Sequence, residues 1–188
     1  YYTLAIDTPG DKANEVKARS GLMVAQIYSG QGNTEKADLT LQKAFTLVPE
    51  NSDPELRAGL LHQLAKNQLQ SRKLDQAASD IKQALAICPE KGKFDLLTTA
   101  GMIELEQSRN SSASAYFRQQ ENLAETPTQH MRKTINMIRV MMAEKRYSRS
   151  LSIMHQIEQK YAKELGTANK AELTGLKSEI FEASRQMD

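Results

Sequence analysis

Three histidines and one cysteine are the side chains with the most potential for acid-base, nucleophilic or metal-binding chemistry. His62, His130 and His155 lie far apart in the sequence and lack a ligand spacing such as H-E-x-x-H. Cys88 is the sole cysteine, so no second thiol can complete a site with them. We therefore predict no catalytic constellation and no metal site, and we interpret the histidines as polar surface residues of a protein that is not an enzyme.

Cys88 and two short motifs have structural interpretations that we favour over chemical ones. Cys88 precedes Pro89 as Val48 precedes Pro49, which predicts a small buried hydrophobe rather than a nucleophile. The glycine pair around residue 31 has neither a preceding strand nor the third glycine of a dinucleotide site, so we expect no cofactor. Residues 110–112 fit a glycosylation acceptor, but we favour a turn whose Asn110 caps a helix.

The composition favours helices and gives little indication of a partner. The chain has 188 residues, no Trp, nine Gly and five Pro, with 25 Lys plus Arg against 23 Asp plus Glu. A net charge of +2 is too small to indicate nucleic acid or an anionic membrane as the main partner. The apolar run around residues 137–143 is too short to cross a bilayer. A single cysteine leaves the compartment open between cytoplasm and periplasm.

The elements that position these side chains recur along the chain. Pro9, Pro49 and Pro89 are spaced by forty residues, and a small residue stands shortly before each. Such a period indicates helical pairs that bury their apolar faces only by stacking on neighbouring pairs. We expect about ten helices in a single solenoid: a partial repeat at 1–10, repeats at 11–50, 51–90, 91–125 and 126–165, and a terminal helix at 167–187. Both ends suggest a piece of a larger protein.

Local signals predict the helix starts and the turns. Asp53 with Pro54, and Thr126 with Pro127, are typical of a cap followed by the first helical residue. Turns are predicted at residues 30–33, 71–73, 110–112 and 145–146.

The spacing resembles the tetratricopeptide repeat. Residues 24–49 place Val24-Ala25, Tyr28, Ala37, Leu41, Ala44 and Pro49 in the slots of that signature, and Leu64-Ala65, Ala77, Ile81, Ala84 and Pro89 repeat it. The third and fourth units are looser: Gln120 replaces the later Ala, Ser150 and Met154 are substitutes, and Met137-Ile138 lacks a small residue. The resemblance implies an all-α, right-handed superhelical solenoid of antiparallel helix pairs.

The resemblance also implies a concave groove, lined by the first helix of each pair, that binds a protein or peptide. We expect Arg132, Arg139 and Lys66 to favour a carboxylate or an acidic segment. The carboxylate clamp of relatives that hold chaperone tails is disfavoured, because Leu22, Gln26 and Asp95 occupy its places. The residues expected in the groove are Arg19, Gln26, His62, Lys66, Thr99, Arg132, Asn136 and Arg139, with Leu22, Gln63, Thr98, Met102 and Met142 beside them.

The resulting hypothesis is a protein-interaction scaffold that forms part of a larger protein. The alternative is the ligand-sensing region of a bacterial signalling receptor or transcription regulator. A more distant alternative is an RNA-binding helical repeat, because residues 130–149 carry six basic side chains against Glu144. Tyr147 is the single Phe, Tyr or Trp among those residues, so they lack a series of aromatic platforms for stacking bases, and nucleic acid is disfavoured.

Overall fold

The computed structural model describes residues 11–49, 53–163 and 166–185, and these residues form helices and no strands. The predicted all-α class is confirmed. The predicted partial repeat at 1–10 lies outside the described residues. The helices are α1 (Asp11–Gly30), α2 (Thr34–Thr46), α3 (Pro54–Gln70), α4 (Leu74–Ile87), α5 (Lys93–Glu106), α6 (Asn110–Gln119), α7 (Pro127–Ala143), α8 (Tyr147–Lys160) and α9 (Thr167–Arg185), with short 3-10 turns at Glu90–Gly92 and Gln120–Asn122.

The chain divides into two compact units, Tyr1–Ile103 and Glu104–Asp188, called here unit 1 and unit 2. In unit 1, α1 packs on α2 and α3, α2 packs on α3, and α3 packs on α4. In unit 2, α7 contacts α6, α8 and α9, and α8 contacts α9. Each unit therefore builds its core from helices that are adjacent or nearly adjacent in sequence.

Four turns between helices share one backbone conformation. Gly32, Arg72, Ser108 and Lys145 have φ values of 76°, 59°, 58° and 59°. In each turn the residue after the left-handed one donates its amide to the carbonyl oxygen five positions earlier, over 2.8–2.9 Å. In the first turn, for example, Asn33 donates to Tyr28. This bond satisfies a carbonyl that the helix end leaves open. The four left-handed residues, spaced by 40, 36 and 37 positions, give the helical pairs a common reference and are called the turn residues.

The spacings of the turn residues show that the forty-residue period applies only between the first turn and the second. They also correct one predicted turn, since α5 ends at Glu106, Ser108 is left-handed and α6 already begins at Asn110. Asn110 is therefore not the cap that we expected; Arg109 takes that position. Short polar side chains suit a first helical turn as well as a loop, so residues 110–112 were an ambiguous signal.

The predicted helix starts at Asp53 and Thr126 are confirmed. A carboxylate oxygen of Asp53 accepts a hydrogen bond from the Glu55 amide at 2.9 Å, ahead of Pro54 at the start of α3. Thr126 accepts from the Gln129 amide at 3.2 Å, and the Gln129 side chain accepts from the Thr126 amide at 3.1 Å. This reciprocal capping satisfies amides that the first turn of α7 cannot pair internally.

Small residues allow close helix contact in unit 1. The position seven residues before each turn residue, called the notch position, holds Ala25 in α1 and Ala65 in α3, both fully buried. A Cβ added at Gly21, one turn before Ala25, would lie 2.9 Å from the Ala44 Cβ of α2. The α1 and α2 backbones therefore approach too closely there for a larger side chain.

Each second helix buries the positions five, nine and twelve residues after its turn residue. Because these spacings advance by about one helical turn, they form one continuous stripe. The buried stripes are Ala37, Leu41 and Ala44 in α2; Ala77, Ile81 and Ala84 in α4; Ala113, Phe117 and Gln120 in and after α6; and Ser150, Met154 and Ile157 in α8.

Candidate functional site

Unit 1 exposes polar side chains on the first helix of each pair. Arg19, Gln26 and Lys66 are exposed, and His62 is half-buried. Leu22 lies against Gly59, where an added Cβ would come 3.3 Å from the Leu22 Cδ2 atom, so the glycine of α3 leaves room for the Leu22 side chain of α1. We call Arg19, Leu22, Gln26, His62 and Lys66 the first-helix face of unit 1.

Thr99 and Asn136 do not lie on an open surface, contrary to the sequence-based expectation. Both are buried, as is Gln63, and all three stand nine residues before their turn residue. Neighbouring helical positions differ by about 100°, so the residue after a face position turns towards the adjoining helix instead. Each hydrogen bonds there within its own unit: Gln63 to Ser29 at 3.0 Å, Thr99 to His62 at 2.8 Å, and Asn136 to Gln120 at 3.1 Å.

His62 is not the ordinary surface histidine that the sequence predicted. Burial, with a smaller contribution from the nearby Lys66 ammonium, lowers its pKa from 6.5 to about 4, and Asp95 acts in the opposite direction. A 2.8 Å hydrogen bond joins the Nε2 atom of His62 to Thr99 Oγ1, which also lies 3.3 Å from the Asp95 carbonyl oxygen. At neutral pH the ring is therefore uncharged and links α3 to α5.

Arg19 and Lys66, the two cationic side chains of the first-helix face of unit 1, have different surroundings. Arg19 forms ion pairs with Asp53 and, at 3.5 Å, with Glu15. Lys66 is exposed, and no carboxylate in the described part of the chain lies within 4.0 Å of its ammonium. Lys66 is therefore the cation on this face that can accept an external carboxylate without displacing an internal one.

In unit 2, α7 carries Arg132 and Arg139 seven residues apart. Both are half-buried, and Arg139 Nη2 donates to a Glu172 carboxylate oxygen of α9 at 2.8 Å. The two-pronged carboxylate site expected at Arg139 is thus partly engaged by the protein's own Glu172. The sequence does not predict this contact, because Arg139 and Glu172 are 33 residues apart and no local pattern relates them.

The basic segment around α7 is also partly neutralised within unit 2. Lys133 pairs with Glu121 and lowers the pKa of that carboxyl by hydrogen bonding, and Arg146 pairs with Glu144 at 3.2 Å. These pairs reduce the positive potential that would attract a phosphate backbone.

A buried polar network between α1, α2 and α3 was not anticipated. Asn67 is fully buried: its side-chain oxygen accepts from Ser29 at 2.6 Å and Gln63 at 3.0 Å, and its amide donates to Asp38 at 2.9 Å. Burying these polar groups costs free energy unless each of them is hydrogen bonded. The network therefore favours the one relative placement of α1, α2 and α3 that pairs them. The signal available was polar residues at Gln63 and Asn67, four positions apart on a helix otherwise rich in Leu.

The remaining candidates for chemistry are Cys88 and clusters of metal-ligating side chains. Cys88 is buried as predicted, and burial raises the pKa of its thiol, which disfavours the nucleophilic thiolate. Among the described residues no three His, Cys, Asp or Glu side chains come together as metal ligands. None of the described helices combines the length and apolar character of a bilayer-spanning segment.

Comparison with known families finds a match over the first helical pair, α1 and α2. Residues 18–51, which hold most of α1, all of α2 and the turn at Gly32, match the family model described as tetratricopeptide repeat. The chain contains a tetratricopeptide repeat. Repeats of this family are generally protein-protein interaction modules and are generally not catalytic. No curated protein matches the chain.

The resemblance drawn from residues 24–49 is therefore confirmed. The three later turns have the same backbone geometry as the turn of the tetratricopeptide repeat, although their turn residues are Arg72, Ser108 and Lys145 instead of glycine. Geometry thus extends the helix-turn-helix design beyond the residues whose sequence matches the family.

Proposed function

We propose that this protein is an interaction scaffold that binds an acidic peptide or an acidic surface of a partner domain on the first-helix face of unit 1. The observation that carries the proposal is the exposed Lys66 ammonium, which lies beside the neutral His62 and has no carboxylate partner within 4.0 Å in the described residues. A lysine in such a position gains a partner on binding without losing one.

The neighbouring groups suit an extended peptide. Gln26 is exposed and can donate and accept, so it can pair with a peptide backbone. Leu22 lies against Gly59 and offers an apolar contact between the two helices. A ligand with a carboxylate near Lys66 and a backbone segment near Gln26 would use charge, hydrogen bonding and apolar contact together.

The test is selection of a random displayed peptide library against the full chain, followed by fluorescence-anisotropy titration of the enriched peptides. We expect acidic sequences, and we expect Lys66→Glu to weaken their binding about tenfold or more, which corresponds to about 1.4 kcal/mol. The matched control is Lys82→Glu, the same charge reversal at an exposed lysine of α4. Failure to enrich any peptide, or equal loss with both variants, would refute the proposed face.

A further inference from the structure

A titratable ring lies beside the open cation of the first-helix face of unit 1. His62 and Lys66 are four residues apart on α3, and this spacing brings two side chains together on one side of a helix. Lys66 carries a fixed positive charge, whereas an imidazole can gain one by binding a proton. The face proposed to bind an acidic ligand therefore contains a group whose charge depends on pH.

The His62 ring is engaged at one nitrogen and open at the other. Its Nε2 atom shares the 2.8 Å hydrogen bond with Thr99 Oγ1, and its Nδ1 atom has no hydrogen-bond partner in the described part of the chain. Nδ1 retains contact with solvent, because Gln68 Oε1 is the single fully buried side-chain N or O atom that lacks a partner among those residues. A protonated imidazole donates from both nitrogens, so a protonated His62 presents an N–H group to an external acceptor.

The charges around His62 identify the group that opposes a proton on the ring. The Lys66 ammonium acts with burial to keep the pKa of His62 low, and Asp95 of α5 acts in the opposite direction. The charged groups that contact or cap α3 from its other neighbours are engaged in pairs of their own: Arg19 of α1 with Asp53, Asp38 of α2 with Asn67, and Asp80 of α4 with Gln68. Lys66 is thus the cation whose charge an acidic ligand would offset.

We propose that His62 and Lys66 together bind one carboxylate of the acidic ligand, and that His62 takes up a proton from solvent as the ligand binds. This inference rests on the proposed function, because it concerns the same face. A carboxylate beside Lys66 offsets the ammonium charge and accepts a hydrogen bond from the His62 Nδ1–H group. Both effects favour the protonated ring.

The proton uptake makes affinity depend on pH. Because the coupling between two binding events is reciprocal, a ligand that favours protonated His62 is itself bound more tightly when His62 is protonated. The pKa of His62 is then higher in the complex than in the free protein, where it is about 4, so affinity increases as the pH falls from 7 towards 5. Below about pH 5 the carboxylates of the ligand begin to lose their charge, which ends the useful range.

The first test measures peptide affinity at pH 7 and pH 5 with the full chain. The probe is a rhodamine-labelled acidic peptide from the selection described above, titrated by fluorescence anisotropy. Wild type should bind it about threefold more tightly at pH 5. His62→Gln keeps a side-chain amide near Thr99 but cannot titrate, so it should lose this gain, whereas His155→Gln, at an exposed position of α8, should keep it. An equal gain in His62→Gln, or no gain in wild type, would overturn the proposal.

The second test uses the wild-type ring itself. NMR follows the His62 ring protons through a pH titration with and without saturating peptide, and the ring should titrate at a higher pH in the complex. Identical titration curves would overturn the proposal. Binding that Lys66→Glu weakens but that does not vary with pH would refute proton uptake and leave the proposed function standing. Absence of peptide binding at both pH values would refute the two together.

Discussion

Unit 1 and unit 2 solve the same packing problem with different side chains. In unit 1 the notch positions of α1 and α3 hold alanine, and alanine also begins and ends the buried stripes of α2 and α4. In unit 2 the notch position of α7 holds Ile138, and the stripe of α8 holds Ser150, Met154 and Ile157, all buried. Close backbone approach characterises unit 1, whereas side-chain volume fills the helix contacts of unit 2.

The difference explains why the family signature is clear in one unit and weak in the other. A small-residue signature records backbone proximity, so Ala25, Ala37 and Ala44 are recognisable from sequence. Where larger residues fill the interface, as Ile138, Met154 and Ile157 do, many apolar combinations have the required volume. The turn geometry persists in unit 2, at Ser108 and Lys145, after the signature has weakened.

The largest expected effect tests whether Ile138 fills space in unit 2. Ile138→Ala installs the unit 1 residue at the notch position and should destabilise the protein by about 2–5 kcal/mol, because the core cluster around it cannot close the cavity. The measurement is urea unfolding followed by far-UV circular dichroism. Met137→Ala, at a half-buried neighbour, should cost less. An unchanged unfolding midpoint for Ile138→Ala would show that unit 2 can pack as unit 1 does.

The reverse change tests the alanine contacts of unit 1. Ala77 is fully buried in the α4 stripe, so Ala77→Phe should overpack the α3–α4 contact and cost about 1–3 kcal/mol. Ala86→Phe is the matched control, since Ala86 is exposed on the same helix. Thermal unfolding gives the Tm of both variants. If the two Tm values are equal, the close contact assigned to Ala77 is wrong.

Gln120 of unit 2 is a buried polar residue at the stripe position that Ala44 and Ala84 occupy in unit 1, twelve residues after the turn residue. Gln120→Leu removes the acceptor of the buried Asn136 amide and should cost about 1–3 kcal/mol. Asn136→Leu should cost less in the Gln120→Leu background than by itself, because the hydrogen bond between the two side chains is already absent there. The double-mutant cycle is measured by urea unfolding, and strictly additive losses would argue against coupling of these two side chains.

The pH dependence of stability tests the His62–Thr99 link in unit 1. The pKa of His62 falls from 6.5 in the unfolded chain to about 4 in the folded one, so the unfolded state binds the proton more readily. The stabilisation by neutral His62 is complete above pH 6.5 and is lost as pH falls towards 4, with about 1 kcal/mol lost between pH 6.5 and 5.5. His62→Gln should reduce this slope of unfolding free energy against pH, whereas His155→Gln, at an exposed position, should not. An unaltered slope in His62→Gln would refute the assignment.

The smallest expected effect concerns the shared turns. Lys145 has a φ of 59°, which strains a residue with a Cβ, so Lys145→Gly should stabilise the protein by up to about 1 kcal/mol. Ala143→Gly, in the last turn of α7, should instead destabilise it because glycine gains no relief in a helix. Thermal melts compare the two, and loss of stability in Lys145→Gly would indicate that its side chain contributes more than the strain removes.

Sequence patterns predicted the elements better than they predicted which side chains are accessible. The caps at Asp53 and Thr126 and the turn near residue 72 depend on nearby residues, and the structure has them as expected. The family resemblance predicts Thr99 and Asn136 on the open face of the first helices, whereas both are buried. Whether such a residue is exposed depends on a neighbouring helix, which no local spacing encodes.

The sequence by itself determined the helices, their capping residues and the alanine contacts that identify a tetratricopeptide repeat, because these features arise from backbone hydrogen bonding and sterics within a few turns. Tertiary packing alone decided that His62 is neutral, that Arg139 is paired with Glu172 and that Lys66 has no internal carboxylate partner among the described residues. Desolvation and ion pairing depend on groups brought together from distant parts of the chain, so these properties required the folded arrangement of each unit.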